Sequence, residues 1–382
     1  MLYIKSNNDL HKICKSYEKA EYIAIDTEFI RERTYWPKLC LIQVFDGKKA
    51  SIIDPLVNGI DLAPLIDLLE NDSITKIFHA GRQDIEIFYN LTNNIPKNIF
   101  DTQIAAMVCG FGESIGYDRL VSRLLNKKID KTSRFTNWEK RPLSKKQKDY
   151  AISDVTHLFE LYPIIKKQVF DNKRENWVKE EMNILISKET YKQDPDNAWK
   201  KLKIRSNDKK SISIMFHLAK WRERKSQELD IPRGKLLRDE AIYEISSSQP
   251  TSEKEISGLR SFSRINIKLN SINEILEEIR NAKSVKLNNL PEIPNHNRLS
   301  QGISAKISIL KILLDSISAE YGVAQKLIAN KDDLEKLIMN DNANIKTLRG
   351  WRYEIFGKKA VDFKNGRIGI TMDSGNVVLK KI

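Results

Sequence analysis

Tyr22-Ile23-Ala24-Ile25-Asp26-Thr27-Glu28-Phe29 is the stretch on which the reading of the fold turns. It is a short β-rich run carrying two acids at its far end. Side chains on a strand alternate between faces, so Asp26 and Glu28, two apart, share one. An acid placed after an apolar strand run is poorly solvated unless something cationic compensates it. Two further acids have related settings. Asp84 lies in Ile77-Phe78-His79-Ala80-Gly81-Arg82-Gln83-Asp84-Ile85, and Asp154 lies in Tyr150-Ala151-Ile152-Ser153-Asp154-Val155. Four such acids converging repel one another, and hard divalent cations such as Mg²⁺ relieve that repulsion. The set points to a two-metal phosphodiester-cleaving site.

Outward from this strand, the first half alternates strand and helix signals. Leu39 to Phe45 and Ala50 to Ile53 are β-rich runs around the turn Asp46-Gly47-Lys48-Lys49, which suits an antiparallel meander. Leu62, Leu65, Ile66 and Leu69 have helical spacing. Thr75 to His79 reads as a strand, Asp84 to Leu91 as a helix and Ile99 to Phe100 as a fifth short strand before a helix at Thr102 to Cys109. Ser144 is placed to cap a helix running through Tyr150 and Asp154 towards Val169. On that helix Tyr150 and Asp154, four apart, share a face.

The second half reads as mainly helical. Polar breaks fall at Tyr191 to Asn197 and Ser206 to Asp208, and Ile212, Met215, Phe216 and Ala219 form an apolar stripe. A linker from Asn288 to Gln301 carries Pro291 and Pro294. Beyond it Ile307, Leu310, Leu314 and Ile317 recur at helical spacing, followed by Leu334, Leu337 and Ile338. The residues alone support two small helical bundles, then a β-hairpin around Asp373-Ser374-Gly375.

Composition bounds the function. A chain of 382 residues exceeds one ordinary core and predicts two or three domains. Three cysteines, Cys14, Cys40 and Cys109, are odd in number and lack zinc-ligand spacing, which argues against a disulfide framework or cysteine nucleophile. The absence of a long apolar run or signal-like N-terminus predicts a cytoplasmic protein with no membrane partner. The net charge of +14 is uneven. Residues 1–170 carry 25 Lys/Arg against 22 Asp/Glu, whereas residues 171–382 carry 40 against 29. A near-neutral cutter joined to a basic grip on phosphate fits this split, as does a basic surface that only keeps the chain in solution.

The acid-bearing segments and their order resemble the DEDD superfamily of 3′-to-5′ exonucleases, and Tyr150 fits the branch with a tyrosine in the third motif. Thr34-Tyr35-Trp36-Pro37-Lys38-Leu39-Cys40-Leu41-Ile42-Gln43, Trp138-Glu139-Lys140-Arg141-Pro142-Leu143-Ser144 and Leu348-Arg349-Gly350-Trp351-Arg352 are similar to the ribonuclease D family. The resemblance spans about Met1 to Gly357. It implies an α/β ribonuclease H-like exonuclease domain, a mixed sheet flanked by helices, at 1–188. Two small all-α HRDC-like helical domains are expected at 208–288 and 300–359, and a tail with a β-hairpin at 360–382.

The same resemblance implies catalytic roles for Asp26, Glu28, Asp84, Tyr150 and Asp154, with the four carboxylates holding two Mg²⁺ or Mn²⁺ ions. Asp26 would bridge both ions, Glu28 and Asp154 would complete the site of the attacking water, and Tyr150 would orient that water. The implied activity is 3′-to-5′ exoribonuclease action by a monomer, releasing 5′-mononucleotides from tRNA precursors and other small structured RNAs with single-stranded 3′ tails. A DNA 3′-to-5′ exonuclease and an inactive RNA-binding scaffold are the rival readings. His79 reads as a structural residue. Gln43, Arg31 and Arg33 are expected either at substrate or on solvated surface. Tyr35 and Trp36 are expected either to stack on a terminal base or to pack in the core. Lys131, Trp138 and Arg141 match the family without a role that the sequence assigns.

Overall fold

The computed structural model describes residues 1–204, 206–261, 269–285, 301–374 and 376–382. Strands β1 (Leu2–Ile4), β2 (Tyr22–Ile30), β3 (Lys38–Phe45), β4 (Ala50–Ile53), β5 (Thr75–Phe78) and β6 (Ile99–Asp101) form one sheet in the order β1-β4-β3-β2-β5-β6. β3 and β4 are antiparallel. β1 with β4, β2 with β5, and β5 with β6 are parallel. The sheet is therefore mixed, as expected. The edge strand β1 escapes pattern reading because three residues carry too little alternation.

Helices α1 (Asn7–Tyr17), α2 (Ala63–Glu70), α3 (Arg82–Thr92), α4 (Thr102–Val108), α5 (Tyr117–Leu125), α6 (Lys145–Asp171) and α7 (Glu175–Leu185) accompany the sheet. The start of α6 is chemically fixed. Ser144 accepts from the Gln147 amide, and the Gln147 side chain accepts from the Ser144 amide, closing a capping box. Val155, Leu158 and Tyr162 of α6 then pack against Ala24 of β2 and Ile77 of β5. Phe159 joins the same cluster and comes so close to the β3–β4 turn that a Cβ on Gly47 would lie 2.6 Å from its ring. Gly47 also has φ 85°, so both space and backbone require glycine there. This packing sets α6, and hence Tyr150 and Asp154, against the central strand.

The chain divides into two compact units. One comprises the described residues of 1–28, 40–190 and 301–382; the other comprises those of 29–39 and 191–285. In the second, α8 (Lys209–Glu228), α9 (Arg233–Leu236), α10 (Asp239–Ser248), α11 (Glu253–Ser257) and α12 (Leu269–Ser284) enclose a core that includes Trp199, Ile212, Met215, Phe216, Trp221, Ile242 and Ile275. The linker expected at Asn288 to Gln301 falls almost wholly on residues 286–300, which lie outside the described residues.

Within the first unit, α13 (Gln301–Tyr321), α14 (Gln325–Ile328) and α15 (Lys331–Met339) lead to a helical run over 350–364, and strands β7 (Ile368–Asp373) and β8 (Asn376–Lys381) pair antiparallel at the end. Gly375, part of the expected turn, lies outside the described residues. The distal motif explains how these helices attach. Trp351 stacks on Trp177 of α7 at 4.5 Å with planes 12° apart. Arg352, 3% exposed, pairs with Glu181 of α7 and donates to the Leu327 carbonyl at 2.6 Å. Arg174 adds bonds to the Tyr321 and Val108 carbonyls. No described helix is long and apolar enough to cross a membrane.

Burial raises the Glu181 pKa despite its partner, so desolvation outweighs the attraction of Arg352. Such a pair is costly to break and cheap to replace. Arg352→Ala is expected to lower the free energy of unfolding by about 3–5 kcal/mol, and Arg352→Met combined with Glu181→Leu to recover most of it. Urea unfolding of the three proteins checks this; a double variant as weak as the single one would contradict it.

Candidate active site

β2 presents Ala24, Asp26 and Glu28 on one face, and α6 lies against that face through Ala24. Asp154, two turns into α6, meets the strand acids. One oxygen from each of Asp26, Glu28 and Asp154 lies within 4.8 Å of the others. Asp84 occupies the first turn of α3, where a carboxylate is favoured by the helix dipole. It stands outside that trio and accepts a hydrogen bond from the Thr27 hydroxyl on the neighbouring strand position.

Burial is the first cause of the acids' shared strain, and their neighbours add to it. Asp26 is pushed well above the carboxylate range by desolvation, then by Asp84, Asp154 and Glu28. Glu28 is pushed up to about 9 by desolvation, then by Asp154 and Asp84, against the pull of Arg134. Desolvation takes Asp154 to about 7, with the nearby Tyr150 hydroxyl and the charge of Arg134 opposing it. Asp84 rises to about 6, restrained by its bond from Thr27. Asp154 Oδ1 is buried with no hydrogen-bond partner among the described residues. Clustered hard oxygen donors with an orphaned buried oxygen fit a divalent cation site. The Tyr150 pKa rises above its ordinary value through desolvation, then Asp154, Glu28 and Asp26, so its hydroxyl keeps its proton at neutral pH.

Sequence reading passed over Asp101, which anchors the loop leading to Asp84. Its carboxylate, 1% exposed, accepts from the amides of Ala80 (3.1 Å), Gly81 (2.8 Å), Gln103 (2.8 Å) and Ile104 (3.2 Å). It thus caps α4 and fixes the entry to α3 at once. Ala80 has φ 56°, a left-handed conformation that a non-glycine residue holds only under such restraint. The cap at the start of α4 was readable from Asp101-Thr102; the bonds across to Ala80 and Gly81 are tertiary and leave no local pattern. His79 is structural, bonded through Nδ1 to Thr102 at 3.0 Å.

Other candidates sit differently from the substrate-facing option. Gln43 is fully buried in β3. Tyr35, 4% exposed, donates to Glu223 at 2.5 Å and accepts from Arg233 at 2.9 Å, while Asp230 accepts from the amides of Tyr35 and Trp36. The Tyr35 segment is therefore packing material of the second unit. Arg141 holds the buried Asp54 through bonds of 2.6 and 2.7 Å and donates to the Cys40 carbonyl, which makes it structural. Trp138 is buried with its ring 6.1 Å from that of Tyr150.

Comparison with known proteins bears on this site. A family model described as a 3′-5′ exonuclease matches residues 1–169, and an HRDC domain model matches residues 213–279. The chain is 41% identical over 383 residues to ribonuclease D of Bartonella henselae, covering 100% of this chain and 94% of that protein. Ribonuclease D of Nitrobacter hamburgensis is 39% identical, with 98% of each chain covered. Among solved structures, Escherichia coli RNase D, an exoribonuclease involved in structured RNA processing, superposes with a TM-score of 0.83 at 26% identity, covering 95% of this chain and 98% of that one.

The raised acids carry a stability signature of their own. A carboxyl whose pKa is higher folded than unfolded favours the native state at low pH and loses that contribution as pH rises through the folded pKa. With Asp84 near 6, Asp154 near 7 and Glu28 near 9, the loss spans about pH 4 to 9. Asp26→Asn removes one charge from the cluster. Without divalent cations, its melting temperature is expected to exceed that of the native chain by a margin that widens from pH 5 to pH 9. A margin that stays constant or reverses in thermal scans would contradict this account.

Proposed function

The chain belongs to the ribonuclease D family and is a 3′-to-5′ exoribonuclease, and we propose that Asp26, Glu28, Asp84, Asp154 and Tyr150 carry its chemistry. The observation that carries this reading is the meeting of Asp26, Glu28 and Asp154 within 4.8 Å, with one Asp154 oxygen buried and unpartnered among the described residues. Family membership implies divalent cations; in our reading these are two Mg²⁺ or Mn²⁺ ions. Asp26 would contribute to both, Glu28 and Asp154 to one and Asp84 to the other. Such ions neutralise the scissile phosphate and lower the pKa of the attacking water.

The residues of the chain then divide the work. The four carboxylates fix where cationic charge sits, and Asp101 together with Thr27 holds Asp84 at its distance. Tyr150, one helical turn before Asp154 on α6 and protonated at neutral pH, orients the attacking water through its hydroxyl and does not serve as the base. The cut would release 5′-mononucleotides one at a time.

The substrate is RNA. We read its natural form as tRNA precursors and other small structured RNAs with single-stranded 3′ tails, acted on by a monomer in the cytoplasm. The excess of basic residues in 171–382 supports a grip on the RNA body there. We assign the exonuclease domain to 1–188, HRDC-like domains to 208–288 and 300–359, and the hairpin tail to 360–382.

Two outcomes are expected. RNA oligonucleotides with a single-stranded 3′ tail should shorten stepwise from the 3′ end in Mg²⁺ or Mn²⁺, and matched DNA should be the poorer substrate. Tyr150→Phe should lower turnover by about 10²–10⁴-fold while calorimetric Mn²⁺ binding is kept. Wild-type turnover by that variant would remove Tyr150 from the mechanism.

A further inference from the structure

The loop joining α5 to α6 holds a feature that the chemistry above does not use. Phe135 is 91% exposed, more than any other large hydrophobic side chain among the described residues. The exposure is imposed by an ordered loop. Buried Ser133 and buried Trp138 flank the ring on either side in sequence. The Ser133 carbonyl accepts from the Thr136 amide at 3.2 Å and from its hydroxyl at 2.7 Å. Gln147 of α6 donates to the Thr136 hydroxyl at 3.1 Å and to the Asn137 carbonyl at 3.3 Å. A fixed turn therefore presents an aromatic face to water, an unfavourable placement that packing does not explain.

The surroundings of the ring point to nucleic acid. The Arg134 guanidinium lies over it at 5.2 Å. Arg134 also lies within electrostatic reach of both Glu28 and Asp154. Ser133 and Tyr150 border one cleft of about 220 Å³, whose charged lining is Lys128, Lys146, Asp130 and Asp149. An exposed aromatic face with a guanidinium over it is a pair with which proteins hold single strands. The ring stacks on a base of any identity and the cations follow the backbone.

We propose that Phe135 and Arg134 form a binding site for one nucleotide of the single-stranded RNA tail, the ring stacking on its base and the guanidinium pairing with a phosphate oxygen. The proposal rests on the reading of the acid cluster as the place of cleavage. Stacking tolerates every base, which suits an enzyme that must advance along a tail of any sequence. A lone exposed aromatic is commonly incidental. Phe170 is such a case and supplies the control: it is 67% exposed on the same helix as Tyr150, about 30 Å away along the axis.

The test is equilibrium binding of a short fluorescent single-stranded RNA in EDTA, where no cleavage occurs. Phe135→Ala should weaken binding about 5- to 150-fold, Phe135→Trp should restore it, and Phe170→Ala should bind as the native chain does. Arg134→Gln should flatten the plot of log affinity against log salt by about 0.7, the value for one lost contact to single-strand phosphate. RNAs carrying 2-aminopurine at successive positions should show one position quenched by the native chain and released by Phe135→Ala. Equal affinity for the native chain and Phe135→Ala, or quenching that survives the substitution, would overturn the proposal. Because these measurements exclude metal and turnover, their failure would leave the acid assignment standing; an active Asp26→Asn would sink that assignment alone.

Discussion

Mutual repulsion among buried carboxylates is the constraint on which this architecture depends. Asp26, Glu28 and Asp154 meet within 4.8 Å, and burial raises the pKa of each further than its neighbours do. Left alone, such a cluster separates or takes up protons. Here it is held by a central strand, by a long helix packed on it through Val155, Leu158 and Tyr162, and by an Asp101-pinned loop that starts the helix bearing Asp84. The fold spends its most secure elements on an arrangement that opposes folding, and cations are what make that arrangement favourable. A site that is costly in the free protein and relieved by its ligand is a common result of selection for activity over stability.

Much of this was legible in the sequence because the geometry is local. The two-residue spacing of Asp26 and Glu28 and the four-residue spacing of Tyr150 and Asp154 convert directly into shared faces once strand and helix are recognised. The Ser144–Gln147 box was half visible, since the cap residue could be read and the start of α6 follows from it. What stayed hidden is tertiary. The four amides that meet Asp101 come from two segments, and no periodicity links them. Tyr35 looked as suitable for substrate as for core, and only burial separates the two; Gln43 was expected at substrate or on solvated surface and is instead fully buried. Phe135 gave no signal at all, because one aromatic in a polar loop has no pattern around it.

The helices after residue 300 show the same limit at larger scale. The sequence marks them as a module on a linker. In the structure their distal motif stacks Trp351 on Trp177 and buries Arg352 against Glu181, so that these helices and the nuclease sheet belong to one compact unit. A chain cut near Lys188 would strip the partners from α7 and strand a buried acid. The motif similarity at 348–352 thus reflects docking more directly than catalysis.

The most direct measurement of the central claim is calorimetric titration of the native chain with Mn²⁺ near pH 7, repeated in buffers of different ionisation enthalpy. The account predicts two ions per chain and a release of protons on binding, because Glu28 and part of Asp154 are protonated in the free protein at that pH. Asp26→Asn should lose most of the binding. Fewer than two ions, no proton release, or an unchanged isotherm for Asp26→Asn would show that these carboxylates do not form a single two-cation site.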